Sequence, residues 1–186
     1  DITGRKQAEQ AMQDSERTLR INADRLVMAQ EIGHTGSWEY DLKANTIWGS
    51  AEGLRIFGFP PVAGDFPIRE IEACIVERDR VHQALVDLIA AGTEYNLEYT
   101  INPADGSAPK MIHSLARLER DAAGNPLKVR GVIHDITERR RAEEELRFKN
   151  AILSTQQETS LYAILIVDDD GKIINYNRKF PEIWGI

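Results

Sequence analysis

The fold of this chain follows from one stretch, Asp135-Ile-Thr-Glu-Arg-Arg-Arg-Ala-Glu-Glu-Glu-Leu146. Residues 127–134, just before it, are rich in β-branched side chains and predict a strand, whereas the stretch itself predicts a helix. Asp135 is placed to cap that helix, with Glu138 at capping-box spacing and Arg139 one helical turn away. A strand therefore passes directly into a helix, and we expect a stiff junction between them.

The same residues open the chain, as Asp1-Ile-Thr-Gly-Arg-Lys-Gln-Ala-Glu-Gln-Ala-Met12. The two copies are 134 residues apart, which is the length of a small domain with its linker. A second repeat pairs residues 56–59 with 183–186 at an offset of 127. The two offsets differ by about one heptad, which preserves the phase of a coiled coil. The sequence therefore predicts a piece of a tandem array.

The stretch Asp135-Ile-Thr-Glu-Arg139 resembles the PAC-type C-terminal boundary of PAS domains in bacterial sensor proteins. The turns at 105–107 and 121–126 and the segment 131–137 resemble the last three strands of that fold. The resemblance covers residues 33–146. It implies an α+β PAS fold, in which a five-stranded antiparallel sheet carries short helices on one face between long N- and C-terminal linker helices.

The pattern along the chain predicts the same layout, with two strands, then short helices, then three strands. Ser50 is placed to cap the first short helix, Gly92 to end the central helix, and residues 60–67 to form a loop. The predicted segments are a linker or N-cap helix leaving an upstream PAS domain (1–32), a complete PAS domain (33–136), a coiled-coil linker helix (137–160) and the truncated start of a following PAS domain (161–186).

Composition narrows the class of protein. The formal net charge of −7 disfavours nucleic-acid binding. No apolar run is long enough to cross a bilayer, so no membrane segment is expected. The chain has 1 cysteine, Cys74, which excludes internal disulfides and multi-cysteine metal sites and fits a reducing cytoplasm.

Neither a catalytic constellation nor a metal site is predicted. The four histidines are scattered, and none begins a phosphoacceptor sequence of the histidine-kinase type. Phosphate-binding loops and cyclase motifs are also missing from the sequence. We therefore expect no enzymatic activity in this chain, and the resemblance implies that the parent protein is a histidine kinase.

PAS domains bind ligands between the sheet and its helices, so the resemblance implies a cavity there. Gly131 lacks a side chain in the last strand, which leaves room for a small ligand or, alternatively, permits a bulge or close packing. The candidate lining residues are Phe57, Leu85, Ile89, Leu97, Tyr99 and Gly131.

Two cofactors can be tested by residue. Photoreactive flavin would need a cysteine within an Asn-Cys-Arg-Phe-Leu-Gln-like motif, but Cys74 lies in Glu72-Ala-Cys-Ile-Val76, so flavin photochemistry is rejected. Haem would need a histidine on the central helix facing the sheet. The candidate, His82, lies at the helix start, so haem is not expected. The cofactor is left unknown, with none expected.

The flanking helices predict a homodimer. Apolar residues at heptad spacing predict a coiled-coil seam in each of them. The alternative for the first helix is an amphipathic helix that packs on its own domain, and both descriptions can hold in different parts of it. The seam residues are Met12, Leu19, Leu26, Leu146 and Leu153.

These observations favour a sensory or signal-relay PAS module of a cytoplasmic signalling protein that contains neighbouring PAS domains. A change in the cavity would reach a dimeric linker helix through Asp135, Thr137, Glu138 and Arg139. One alternative is a ligand-free spacer and dimerisation module. The other alternative is the same module in a cyclic-dinucleotide enzyme.

Overall fold

The computed structural model describes residues 2–61 and 64–185, with side chains described from residue 9 onward. It forms two compact units, Asp1–Thr137 and Glu138–Ile186. Asp1 and Ile186, which belong to the sequence repeats, lie outside the described residues. Among the helices described, none combines the length and the apolar character needed to span a bilayer.

The first unit is a long helix followed by an antiparallel sheet with three short helices inserted in it. Its helices are α1 (Ile2–Ile32), α2 (Ala51–Ile56), α3 (Ile68–Ala73) and α4 (Arg78–Ala91). Its strands are β1 (Thr35–Asp41), β2 (Thr46–Gly49), β3 (Asp65–Pro67), β4 (Tyr95–Ile101), β5 (Lys110–Arg120) and β6 (Pro126–Asp135). They lie in the order β3-β2-β1-β6-β5-β4.

This architecture confirms the predicted fold class and adds one strand to it. The sequence predicts five strands and a loop over 60–67, whereas Asp65–Pro67 pairs with β2 as a short edge strand. Phe66 of this strand packs against Phe59, with ring centroids 5.7 Å apart. Three residues are too few to show a strand's alternation, so this strand depends on tertiary contacts that the sequence pattern does not contain.

The predicted helix ends are confirmed. Ser50 caps α2, because its Oγ accepts a hydrogen bond from the backbone N–H of Gly53 at 3.3 Å. The same oxygen accepts the N–H of Ser37 at 3.0 Å, and the Ser50 N–H donates to the Ser37 carbonyl at 2.8 Å. One serine thus fixes the start of α2 to strand β1. Gly92 ends α4 with a left-handed φ of 69°.

Helix α2 approaches β1 through two glycines. A Cβ added to Gly36 would lie 2.3 Å from the Cα of Gly53, a backbone atom that no rotamer change can move. Only glycine at Gly36 allows this separation. The close contact places Leu54 and Phe57 over the inner face of the sheet.

The core of the first unit lies between that inner face and helices α2–α4. Alternating residues of β4, β5 and β6 point into it, as expected for a sheet with one buried face. The most deeply buried apolar residues are Ile101, Ile112, Val129 and Ile136.

The second unit holds most of α5 (Thr137–Glu158), a two-stranded sheet and a short helix. These last elements are β7 (Leu165–Val167), β8 (Ile173–Tyr176) and α6 (Lys179–Trp184). Much of its apolar surface is exposed, including Leu161, Tyr162 and Trp184.

The second unit repeats a hydrogen-bonded device of the first unit at the offset of 127. Asn177 donates its N–H to the Ile164 carbonyl at 3.1 Å, and its Oδ1 accepts the Ile164 N–H at 2.8 Å. Ser50 and Ser37 make the same pair of bonds, each 127 residues earlier. The two β-β-α segments therefore share a local design as well as a sequence pattern.

The glycine contact gives a direct test of the fold. Gly36→Ala should lower the free energy of unfolding by about 1–3 kcal/mol or more, because the added methyl group meets backbone. Gly49→Ala is the control, since its Cβ would lie 3.4 Å from the Leu54 side chain, an ordinary contact. Urea unfolding measures both, and equal stability of the two variants would contradict the proposed role of Gly36.

Candidate functional site

A cavity lies between the sheet and helices α2–α4. Its volume is about 70 Å³ and its walls are mostly apolar. Pockets that enclose drug-sized ligands measure roughly 300–1,000 Å³, so a ligand of that size would have to move the helices apart. The lining includes Trp38, Leu54, Phe57, Val81, Leu85 and Ile133.

Three of the predicted lining residues contribute to this cavity, namely Phe57, Leu85 and Tyr99. Ile89 and Leu97 instead pack against the adjoining core. Sequence analysis missed the contributions of Trp38, Leu54 and Val81. The alternation of Trp38, Tyr40 and Leu42 along the first predicted strand was the available signal that Trp38 faces inward.

Gly131 does not leave room for a ligand. A Cβ at Gly131 would lie 2.4 Å from Cε2 of Trp38, its cross-strand neighbour on β1. The indole ring therefore fills the space above the glycine, and this site prediction is wrong. The close-packing alternative left open by the sequence describes Gly131 correctly.

Polar groups lie at one side of the cavity. Glu72 and His82 both line it, and His82 Nδ1 lies 2.7 Å from Glu72 Oε1. Arg78 lines it as well. Burial, and secondarily the charge of Glu72, raises the pKa of Tyr40. A ligand in this cavity would thus have apolar walls around most of its surface and a charged, hydrogen-bonded pair beside it.

Two tyrosines are buried at the cavity wall. Burial raises the pKa of Tyr95 to about 12, and it also raises the pKa of Tyr99. Both phenols are therefore neutral at physiological pH. Tyr95 also packs edge-on against Trp38, with ring centroids 6.2 Å apart, so the aromatic wall is rigidly held.

Cys74 is buried, as expected for a small apolar residue. Its Sγ lies 3.6 Å from the Glu70 carbonyl oxygen, and burial raises the pKa of the thiol. A raised pKa keeps the sulfur protonated and weakly nucleophilic at neutral pH.

The strand-to-helix junction is held by side-chain and backbone hydrogen bonds. Asp135 Oδ1 accepts the Thr137 backbone N–H at 3.0 Å and also the Thr137 hydroxyl. The Thr137 Oγ1 in turn accepts the N–H of Met111 at 3.0 Å. The Ile136 N–H donates to the Met111 carbonyl at 2.9 Å. The end of β6 is thus tied to the start of β5 and to the first helical residue.

The junction differs from the prediction in its register. Helix α5 begins at Thr137, so Asp135 lies just before the cap position and accepts from a residue two positions on, as in an Asx turn. Within the second unit, Arg139 lies 3.8 Å from Glu143 and Arg141 lies 3.7 Å from Glu138. The ion pair of Asp135 with Arg139 stays a prediction.

The predicted seam residues are exposed within their own units. Met12, Leu19 and Leu26 follow one another at heptad spacing on α1 and are 60–66% exposed. Only the last turn of α1 contacts the sheet unit through described side chains, where Gln30 donates to Ser37 Oγ at 2.8 Å and Glu31 pairs with Arg55 at 2.9 Å. Leu146 and Leu153 of α5 are 61% and 57% exposed.

Two solved structures share this fold. A sensory box histidine kinase/response regulator from Burkholderia thailandensis E264 is similar with a TM-score of 0.56 and 25% identity, over 69% of this chain and 97% of that chain. The N-terminal domain of a diguanylate cyclase with PAS/PAC sensor from Marinobacter aquaeolei has a TM-score of 0.51 and 15% identity, over 57% and 98%. This chain carries a PAS domain. No protein-family model matches it.

Characterised relatives of this PAS chain are signalling proteins. A blue-light-activated histidine kinase of Brucella anthropi is 28% identical over 73% of this chain and 29% of its own length. The probable diguanylate cyclase DgcE of Escherichia coli K12 is 25% identical over 91% of this chain and 16% of its own length. The chain thus spans less than a third of either relative.

These relatives overturn the expectation about cofactors. A kinase that blue light activates must hold a chromophore, because amino-acid side chains do not absorb blue light. Expecting none, rejecting flavin and discounting haem is therefore wrong for this PAS chain. A cysteine motif tests for covalent photochemistry and a histidine for iron ligation, whereas planar ring systems also bind by stacking and packing. The cavity's aromatic walls, with Trp38, Trp48 and Phe57, suit such a ring.

The buried Tyr95 predicts a pH dependence of stability. In the unfolded chain a tyrosine loses its proton near pH 10, whereas folded Tyr95 holds it to about 12. Between these values the unfolded state binds fewer protons, so the free energy of unfolding should fall as pH rises, by up to about 1.4 kcal/mol per pH unit. Tyr95→Phe should reduce this slope, measured by urea unfolding.

The control for this titration is Tyr162→Phe, which changes a tyrosine that is 80% exposed. It should leave the slope unchanged. A Tyr95→Phe slope equal to that of the unaltered chain would show that Tyr95 does not titrate with a raised pKa.

Proposed function

We propose that this chain is a sensory and signal-relay module of a larger signalling protein. In this proposal, the cavity of the PAS domain binds a small, planar and mostly apolar molecule. A change in its occupancy or packing then passes through Asp135, Ile136 and Thr137 to helix α5.

The observation that carries this proposal is the position of Ile133. Ile133 lines the cavity and is almost fully buried, and it lies on β6 two residues before Asp135. Residues two apart on a strand point to the same face, so cavity wall and junction share one rigid element. A displacement of β6 at Ile133 therefore shifts the carboxylate that accepts the Thr137 N–H.

We further propose that the parent protein is a histidine kinase of the cytoplasm. Relatives with that name support the output, and a single buried thiol fits a reducing compartment. A diguanylate cyclase is the second candidate, supported by the relative that matches 91% of this chain. Autophosphorylation of the full-length parent with ATP distinguishes the two.

The domain organisation proposed from the sequence has further support. The β-β-α segment of the second unit repeats the first unit's hydrogen-bonded device at an offset of 127. Both short helices are followed by a glycine with positive φ, 76° at Gly58 and 71° at Gly185. We infer that residues 161–186 begin another PAS domain, and that 1–32 and 137–160 are linker helices flanking the domain of 33–136.

The cavity is tested by filling it and probing it with xenon, which enters apolar cavities. Xenon should bind saturably, seen by ¹²⁹Xe NMR, and should change the amide exchange of Thr137. Leu85→Phe places a ring in the cavity and should weaken xenon binding by about tenfold or more. Val86→Phe, at the more exposed neighbouring position on α4, is the control and should leave binding intact.

Failure of xenon to bind would favour the ligand-free spacer. The absorption spectrum of the purified chain identifies a chromophore directly, since a retained ring system absorbs in the near ultraviolet or visible. Xenon binding without any response at Thr137 would retain the cavity but contradict the relay.

Dimerisation through the linker helices is a second part of the proposal. A seam of exposed apolar residues at heptad spacing needs a partner, and a second copy presents the same seam. Leu19→Glu should raise the dimer dissociation constant by about tenfold or more, because it places an unpaired charge in the seam. Gln13→Glu, one position off the seam, is the control. Analytical ultracentrifugation measures both, and a chain that stays monomeric at high concentration contradicts this part.

A further inference from the structure

The ammonium of Lys110 lies between the cavity helix α2 and the junction carboxylate. Lys110 Nζ donates to the backbone carbonyl of Ile56 at 3.1 Å and lies 3.8 Å from Asp135 Oδ2. Its side chain is only 25% exposed, so water screens these interactions incompletely. The same cation therefore contacts the last residue of α2 and the residue that holds the start of α5.

Helix α2 is the movable wall of the cavity on this side. Leu54 and Phe57 line the cavity, and Ile56 between them presents its carbonyl to Lys110. The next carbonyl, of Phe57, accepts the Ala104 N–H at 2.9 Å. The exit of α2 is thus held by the β4–β5 connection and by the first residue of β5. A shift of α2 that admits a ligand changes the distance from Ile56 O to the ammonium.

The other end of this contact is equally specific. Asp135 uses Oδ1 for the Thr137 backbone and hydroxyl, and it turns Oδ2 toward Lys110. Hydrogen bonds to charged groups are stronger than neutral ones, so removing the ammonium changes the position of the carboxylate. The series Phe57–Ile56–Lys110–Asp135–Thr137 is continuous at hydrogen-bond or ion-pair distance.

We propose that Lys110 is a positioning residue that couples the cavity helix α2 to the start of helix α5, through the Ile56 carbonyl and the Asp135 carboxylate. This inference rests on the proposed relay function and names a second route within it. The strand route runs through Ile133 and reports movements of the sheet, whereas the Lys110 route reports movements of α2. The two routes meet at Asp135.

A double-mutant cycle separates them. The readout is the exchange rate of the Thr137 amide, which donates to Asp135, relative to that of the buried Ile112 amide in the sheet. Ile112 reports global stability, so a merely structural effect moves both amides together. Phe57→Leu perturbs α2, Ile133→Val perturbs β6, and Lys110→Met removes the ammonium while keeping the chain length.

In the full chain of 186 residues, Phe57→Leu should change the Thr137 ratio, and Lys110→Met should suppress that change by about fivefold or more. Ile133→Val should act equally with and without Lys110→Met. Lys128→Met is the matched control, because Lys128 is a similarly exposed ammonium that pairs with Glu39 on the same sheet. It should leave the response to Phe57→Leu intact.

The failures are distinguishable. Additive effects of Phe57→Leu and Lys110→Met, with Thr137 still responding, overturn the role of Lys110 and leave the proposed function standing. Loss of any Thr137 response to Phe57→Leu and Ile133→Val in the otherwise unaltered chain overturns both. Where Lys110→Met does not fold, Lys110→Gln takes its place under the same criterion, since it keeps a donor and loses the charge.

Discussion

The contact between Gly36 and Gly53 determines how closely helix α2 lies on the sheet. A Cβ on Gly36 would come within 2.3 Å of the Gly53 backbone, so the separation is fixed by the main chain itself. Ser50 fixes the direction of approach, because it bonds both the helix start and strand β1. The positions of Leu54, Phe57 and the Ile56 carbonyl all follow from this constraint, and with them one wall of the cavity.

The cavity and the linker helix are joined because the last strand belongs to both. β6 carries Ile133 in the cavity wall and Asp135 at its own end. Thr137 is bonded to Asp135 and to Met111 of β5, so the first helical residue is attached to two neighbouring strands. A helix attached in this way follows the sheet, whereas a helix joined by a flexible loop would not. This arrangement is what a relay between cavity and helix needs.

The repeat at an offset of 127 shows how the same local design serves in two places. Ser50 and Asn177 differ in side chain but make equivalent bonds to a strand residue 13 positions earlier. Asn177 is 1% exposed and also donates through Nδ2 to the carbonyls of Gln157 and Tyr162. Its amide therefore closes the second unit on itself.

The sequence by itself determined the order of elements, since strand alternation, Ser50 and Gly92 are local signals that short-range physics reads directly. It also located the junction at Asp135 and three of the cavity residues. Tertiary structure decided what depends on neighbours distant in sequence. It placed Trp38 over Gly131, paired β3 with β2, and brought Lys110 to both Ile56 and Asp135. No periodicity encodes these contacts, because each joins residues whose separation is set by the packing of the whole sheet.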